Sequence, residues 1–141
     1  NLMWASTLGL NGLVGTGNAN EWTVHPIEHE LSAYYDITHG VGLGILTPHW
    51  MRFALNADTQ SLFADFGRHV WQLNGDNATI AQAAIDATAE WISSLEVPMT
   101  LTGVGIENNE HFEAMATSAV SVGHLDHGFV PMAVADVVAL Y

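Results

Sequence analysis

The chain contains no cysteine and no lysine, and apart from eight histidines its only basic side chains are Arg52 and Arg68. Without cysteine there is no disulfide framework, no thiolate metal site and no thiol nucleophile. Without lysine there is no Schiff-base chemistry. Two arginines against 15 Asp and Glu leave a formal charge of −13 over 141 residues with His neutral. Nucleic-acid and anionic-membrane binding both depend on Lys and Arg that neutralise phosphates, so this balance excludes them, and acidic partners with them. The apolar stretches are broken every few positions by Gly, Ser, His or a charge, well short of the roughly 20 residues that cross a bilayer. The chain opens without Met and without a charged segment leading into an apolar one, so no secretory signal is visible and it reads as a fragment. These absences fit a cytoplasmic protein.

What is present is apolar. Hydrophobic residues make up 49% of the chain and charged ones 12%, about half the usual share of roughly 25%, so more than one face should be buried, part of it against a missing neighbour. An acidic surface adapted to salt is the alternative reading of the same numbers. The length suits one domain with a real core.

The periodicity is helical nearly throughout, and no run of β-branched and aromatic residues alternates with period two, so the chain is predicted all-α. Residues 1–14 are apolar on almost every side (Leu2, Met3, Trp4, Leu8, Leu10, Leu13) and read as a buried helix ended by Gly15-Thr16-Gly17-Asn18. A second helix spans 21–35. Val41 to Leu55 reads as another buried helix, bent or broken at Pro48. Leu62, Phe63, Phe66, Val70 and Leu73 recur at three or four residues, and Ile80, Ala84, Trp91 and Leu95 mark a further amphipathic helix after a cap at Asp76 or Asn77. Residues 98–106 read as loop around Gly103 and Gly105. Phe112, Met115, Ala116 and Ala119 mark a further helix, and Val134, Val137, Val138 and Tyr141 a last one.

Chemistry concentrates in one place. His25, His29 and His39 fall within fifteen residues, in His25-Pro26-Ile27-Glu28-His29-Glu30 and Asp36-Ile37-Thr38-His39-Gly40. Helix positions four apart share a face, with Cβ atoms roughly 5–6 Å apart, so His25 and His29 can address a common object while His39 arrives from the next element. Imidazole suits divalent zinc and iron. His49, His69, His111, His124 and His127 read as structural or surface residues; the pair His124 and His127 has only Asp126 beside it, in a Gly-flanked turn. Other chemistries fail on spacing. Pro26 follows His25 and Ala33 stands four after His29, so the His-Glu-x-x-His zinc motif is absent in both registers. Gly9, Gly12, Gly15 and Gly17 follow no strand, which removes the dinucleotide-loop reading, and no Gly-x-Ser-x-Gly elbow exists.

The same residues resemble a known family. His25-x-x-x-His29, then His39-Gly40 and an apolar helix through Leu46-Thr47-Pro48-His49, is similar to the metal-binding region of the iron-containing (group III) alcohol dehydrogenases. Glu28-His29-Glu30-Leu31-Ser32-Ala33 with Asp36-Ile37-Thr38-His39-Gly40 is most similar to the butanol dehydrogenase and aldehyde reductase branch. The opening Asn1 to Gly12 and the closing Val134 to Tyr141 match that branch as well, so the likeness spans essentially the whole chain.

The resemblance implies that residues 1–141 are a helical carboxy-terminal domain, a bundle like the second half of the dehydroquinate synthase-like fold. The amino-terminal dinucleotide-binding domain would then be absent, with the active site in the cleft between the two. It implies Fe²⁺ or Zn²⁺ held by His25 and His39 together with an Asp and a His from upstream, and places His29 beside the substrate and the nicotinamide of NAD or NADP. The implied reaction is hydride transfer between an alcohol or aldehyde and that cofactor, by a full-length homo-oligomer, with this domain inactive alone. Two departures stand out: Pro26 directly after His25, and Ala133 where relatives cap the last helix with Thr or Ser. A free-standing helical metal-binding or interaction module is the alternative, and the wording around His29 argues against a glycerol dehydrogenase or dehydroquinate synthase relative.

Overall fold

The computed structural model describes residues 1–17 and 21–141. Among the described residues there are seven α-helices, three short 3₁₀ turns and no strand: α1 (Leu2–Leu10), α2 (Val24–Tyr35), α3 (His39–Ala54), α4 (Gln60–Val70), α5 (Asn77–Ser94), α6 (Phe112–Gly123) and α7 (Val134–Leu140). The all-α architecture follows the helical periodicity of the sequence. Asn18, predicted to help end the first helix, lies outside the described residues.

Local chemistry explains where the helices begin and end. Pro26 is the third residue of α2, inside the first turn, where a backbone N–H has no intrahelical partner to lose. Asp36 ends α2 in the left-handed conformation (φ 52°), which a short polar side chain tolerates, and its N–H bonds the Ser32 carbonyl. Asp76 caps α5 by accepting from the Thr79 N–H at 3.0 Å and from its hydroxyl at 2.9 Å. Ala133 has no capping side chain, yet Asp136 accepts its N–H at 2.8 Å, so the entry to α7 keeps half of a capping box.

Two apolar clusters meet along α3. The first joins Ile27 and Leu31 of α2, Ile45 and Leu46 of α3, Met115, Ala116 and Ala119 of α6, and Val137 of α7. The second joins Met51 and Ala54 at the end of α3 to Phe63 and Ala64 of α4 and Ile80, Ala81 and Ile85 of α5. The α4–α5 pair is close because Gly67 carries no side chain: a methyl group there would lie 2.6 Å from Ile80 Cγ2.

Three expectations are corrected. Helix α3 runs unbroken through Pro48, whose ring is buried between the two clusters; packing on both sides of the helix outweighs the one lost N–H bond. Helix α1 is not buried: Leu2 is 88% exposed and Trp4 68%, and among the described residues α1 packs mainly against the turn Leu13–Gly15 that follows it. It also ends earlier than predicted, at Leu10, where Gly12 adopts φ 82°. Of the predicted stripes Phe63, Ile80 and Ala84 are buried, but Leu62, Val70, Trp91 and Leu95 are exposed, and Ala64 and Gly67 on α4 and Ile85 and Ile92 on α5 complete the buried faces instead.

The chain's last residue ties α7 back to α2. The Tyr141 hydroxyl donates to the Ile27 carbonyl at 2.8 Å, and its ring stacks on Phe112. Burial first, then the nearby Glu30 and Glu28 charges, raises its pKa above the ordinary phenol value. The unfolded chain therefore releases this proton first, and its contribution to stability is complete below about pH 10 and lost as pH rises beyond it. Tyr141→Phe should cost about 1 kcal/mol in urea unfolding at neutral pH and flatten the fall in stability above pH 10. An unchanged alkaline limb would show that the hydroxyl is not buried as described.

Candidate metal centre

The site is built by α2, α3 and the three residues between them. Thr38 enters α3 in extended conformation, so His39 is the first residue of that helix, and half-buried Ile37 anchors the turn in the first apolar cluster. At the other end, a methyl group on Gly123 would lie 2.6 Å from the Pro26 ring, so the end of α6 rests directly on the turn that carries His25. Pro26, the departure noted in the sequence, thus serves as packing surface beside His25.

The structure brings the three predicted histidines together. The ring centroids of His25 and His39 are 5.1 Å apart, those of His29 and His39 5.2 Å, and those of His25 and His29 6.0 Å. One nitrogen from each lies within 4.8 Å of the others. Ligands at roughly 2.0–2.1 Å from one ion stand at most about 4 Å apart, so small ring rotations close the set, and imidazole nitrogens are the donors that zinc and iron take. The residues fit a divalent transition metal, and by distance each of the three qualifies. His25 is partly buried while His29 and His39 are exposed, so the cluster opens outward. Leu10 of α1 and Trp22 line that opening.

Burial, and then the neighbouring His39 and His29, hold the His25 pKa below the ordinary imidazole value; Glu28 pulls it the other way. His25 is accordingly the neutral, metal-binding form at neutral pH. Beside it a cavity of about 500 Å³ runs between α2 and α3, walled by Trp22, Val24, Leu43, Trp50 and Phe129 with Thr47 among them. The Trp50 indole N–H has no partner among the described residues. Phe129 is held there by its backbone N–H, which donates to the Glu21 carboxylate.

Sequence reasoning missed Glu28. It is fully buried, its Oε1 accepts from the Ser32 hydroxyl at 2.6 Å, and its Oε2 is hydrogen-bonded to His39 Nδ1. The signal was available: Val24, Ile27, Glu28 and Leu31 follow the i, i+3, i+4, i+7 spacing of a core stripe, and a carboxylate in such a stripe needs a partner. His49, His69, His124 and His127 are exposed and none joins the cluster, and His111 stacks on Tyr34 at 5.2 Å.

A family model described as "Fe-containing alcohol dehydrogenase family, C-terminal" matches residues 1–141. The chain belongs to this family. It is 53% identical over 122 residues to the NADH-dependent butanol dehydrogenase A of Clostridium acetobutylicum, an alignment that covers 85% of this chain and 31% of that protein. It is 32% identical over 110 residues to the NADPH-dependent aldehyde reductase YqhD of Escherichia coli, covering 77% and 28%. Among solved structures, an NADH-dependent butanol dehydrogenase A of Thermotoga maritima superposes with a TM-score of 0.83 at 27% identity, covering 97% of this chain and 36% of that one. The substrate- and cofactor-free form of the E. coli aldehyde reductase superposes at 0.85 with 26% identity, covering 99% and 37%. The chain therefore corresponds to the helical C-terminal domain of the iron-containing alcohol dehydrogenases and spans about a third of the length of the relatives it matches.

Gly42 of α3 stands directly against Glu28: a methyl group on Gly42 would lie 2.5 Å from Glu28 Oε1, whereas one on Gly40 would meet nothing within 4 Å. Gly42→Ala should destabilise the protein by about 1–3 kcal/mol, while Gly40→Ala should be neutral or slightly stabilising. Equal urea midpoints for the two variants would contradict this packing.

Proposed function

We propose that this chain is the metal-holding domain of an NAD(P)-dependent alcohol dehydrogenase that interconverts alcohols and aldehydes. In that reading an amino-terminal dinucleotide-binding domain of the same polypeptide supplies most of the NAD or NADP site, the full-length protein is a homo-oligomer, and the helical domain alone is inactive. The observation that carries the reading is the convergence of His25, His29 and His39 on one point at the surface of a domain of this family.

His25 and His39 hold the metal, Fe²⁺ or Zn²⁺, from two different helices. When bound, such an ion supplies Lewis acidity to the substrate oxygen. His29, one turn along from His25 and exposed, would stand beside the substrate and the nicotinamide, where its imidazole orients the cofactor or relays the alcohol proton toward solvent. When bound, a nicotinamide cofactor would supply the hydride chemistry between alcohol and aldehyde. The cavity beside His25, with Leu43, Trp50 and Phe129 among its walls, accepts a small alkyl chain. The butanol dehydrogenase and aldehyde reductase names of the relatives agree with a substrate of that kind.

The test uses the full-length protein that carries this chain. Metal content and aldehyde-dependent NAD(P)H oxidation are measured for the unaltered protein and for His25→Ala, His39→Ala and His29→Ala. The first two should lose metal and activity together. His29→Ala should keep its metal and lose turnover by about 10²-fold or more. Metal and activity retained in both His25→Ala and His39→Ala would overturn the assignment.

A further inference from the structure

We infer that Glu28 is a positioning residue for the metal centre, fixing the tautomer and direction of the His39 ring; the inference rests on the metal-holding role proposed for His39. Glu28 is completely buried, in the core stripe of α2 between Ile27 and Leu31. A carboxylate in such a place is costly unless its oxygens are bonded, and an apolar side chain of similar size generally serves stability as well or better. The fold nevertheless makes room for it. Gly42 leaves the space that Glu28 Oε1 occupies, and Ser32, one turn along, satisfies that oxygen at 2.6 Å. The other oxygen is left for one partner, His39 Nδ1.

That bond has a directional consequence. An ionised carboxylate only accepts, so as Glu28's partner the neutral imidazole would carry its proton on Nδ1 and its lone pair on Nε2. Nε2 is the nitrogen on the far side of the ring from the buried carboxylate, and the His25 and His29 rings lie 5.1 and 5.2 Å from the His39 ring. The His39 side chain is 45% exposed and stands on the first residue of a helix, where little else restrains it. Glu28 converts a loosely held ring into a preset ligand, and its charge makes Nε2 a better donor.

The test compares Glu28→Gln, Glu28→Leu and His39→Ala in the full-length protein, with two readouts for each. Zn²⁺ dissociation constants are measured by competition with a chromophoric chelator, and urea midpoints are measured on the metal-free forms. A positioning role predicts opposite signs for Glu28→Leu: a metal-free form at least as stable as the unaltered one, and Zn²⁺ affinity down by about 10–100-fold. Glu28→Gln, whose amide oxygen still accepts from Nδ1, should fall between, weakened by roughly threefold or more. The visible spectrum of the Co²⁺-loaded Glu28→Leu protein should shift, since it reports ligand geometry at the ion. Zn²⁺ affinity and Co²⁺ spectrum unchanged in both Glu28 variants, with affinity lost in His39→Ala, would overturn the positioning role and leave the metal site standing. Affinity unchanged in His39→Ala as well would sink the metal-site reading itself. Should Glu28→Leu fail to fold, Glu28→Gln alone decides: unchanged affinity and spectrum refute the inference, and weakened affinity in a stable protein supports it.

Discussion

The junction of α2 and α3 depends on a carboxylate placed where an apolar residue would ordinarily sit. Glu28 lies in the stripe that packs α2 into the first cluster, and it reaches across to the first residue of α3. Its burial is tolerated because Ser32 and His39 take its two oxygens and Gly42 yields the space. Around this contact the other features fall into order. Asp36 in left-handed conformation turns the chain, Ile37 pins the turn in the core, and His39 comes to rest against His25 and His29. The two helices thus form one packed unit in which core packing and the geometry of three imidazoles are the same problem.

The rest of the domain supports that unit from behind. Helix α6 presses Gly123 on Pro26, and Tyr141 bonds the Ile27 carbonyl, so the helix carrying His25 and His29 is held from two sides. Helices α4 and α5 stiffen the far end of α3. The face bearing the histidines carries, by contrast, the least-covered apolar surface: α1 has no buried residue, and its Leu10 borders the opening over the cluster. A catalytic cleft shared with a second domain would need an uncovered surface of this kind.

Much of this was legible in the sequence, for identifiable reasons. Helices with a clear 3.6-residue stripe and a local cap, such as α5 behind Asp76 and α6 through Met115 and Ala119, can be read from neighbours in the chain. The trio His25, His29 and His39 was visible because two lie a helical turn apart and the third follows a turn signal. Burial of α1 was misread because apolar residues on every side of a helix specify that something covers it, not that this chain does so. Pro48 was misread because tolerance of a buried proline depends on the helices packed against α3, among them α2 and α5, which no local window contains. Glu28 escaped notice because its partner lies eleven residues away on another helix, and a lone carboxylate between histidines reads first as solvent-facing charge.

The central claim is that the first and last of these imidazoles grip one ion, the last through its Nε2. Anomalous diffraction from crystals of the full-length protein loaded with Zn²⁺ tests it directly. The account predicts a single strong peak about 2.1 Å from a nitrogen of His25 and from Nε2 of His39, with Glu28 still bonded to Nδ1. A peak elsewhere on the domain, or one at this site with His39 turned to bind through Nδ1, would contradict it.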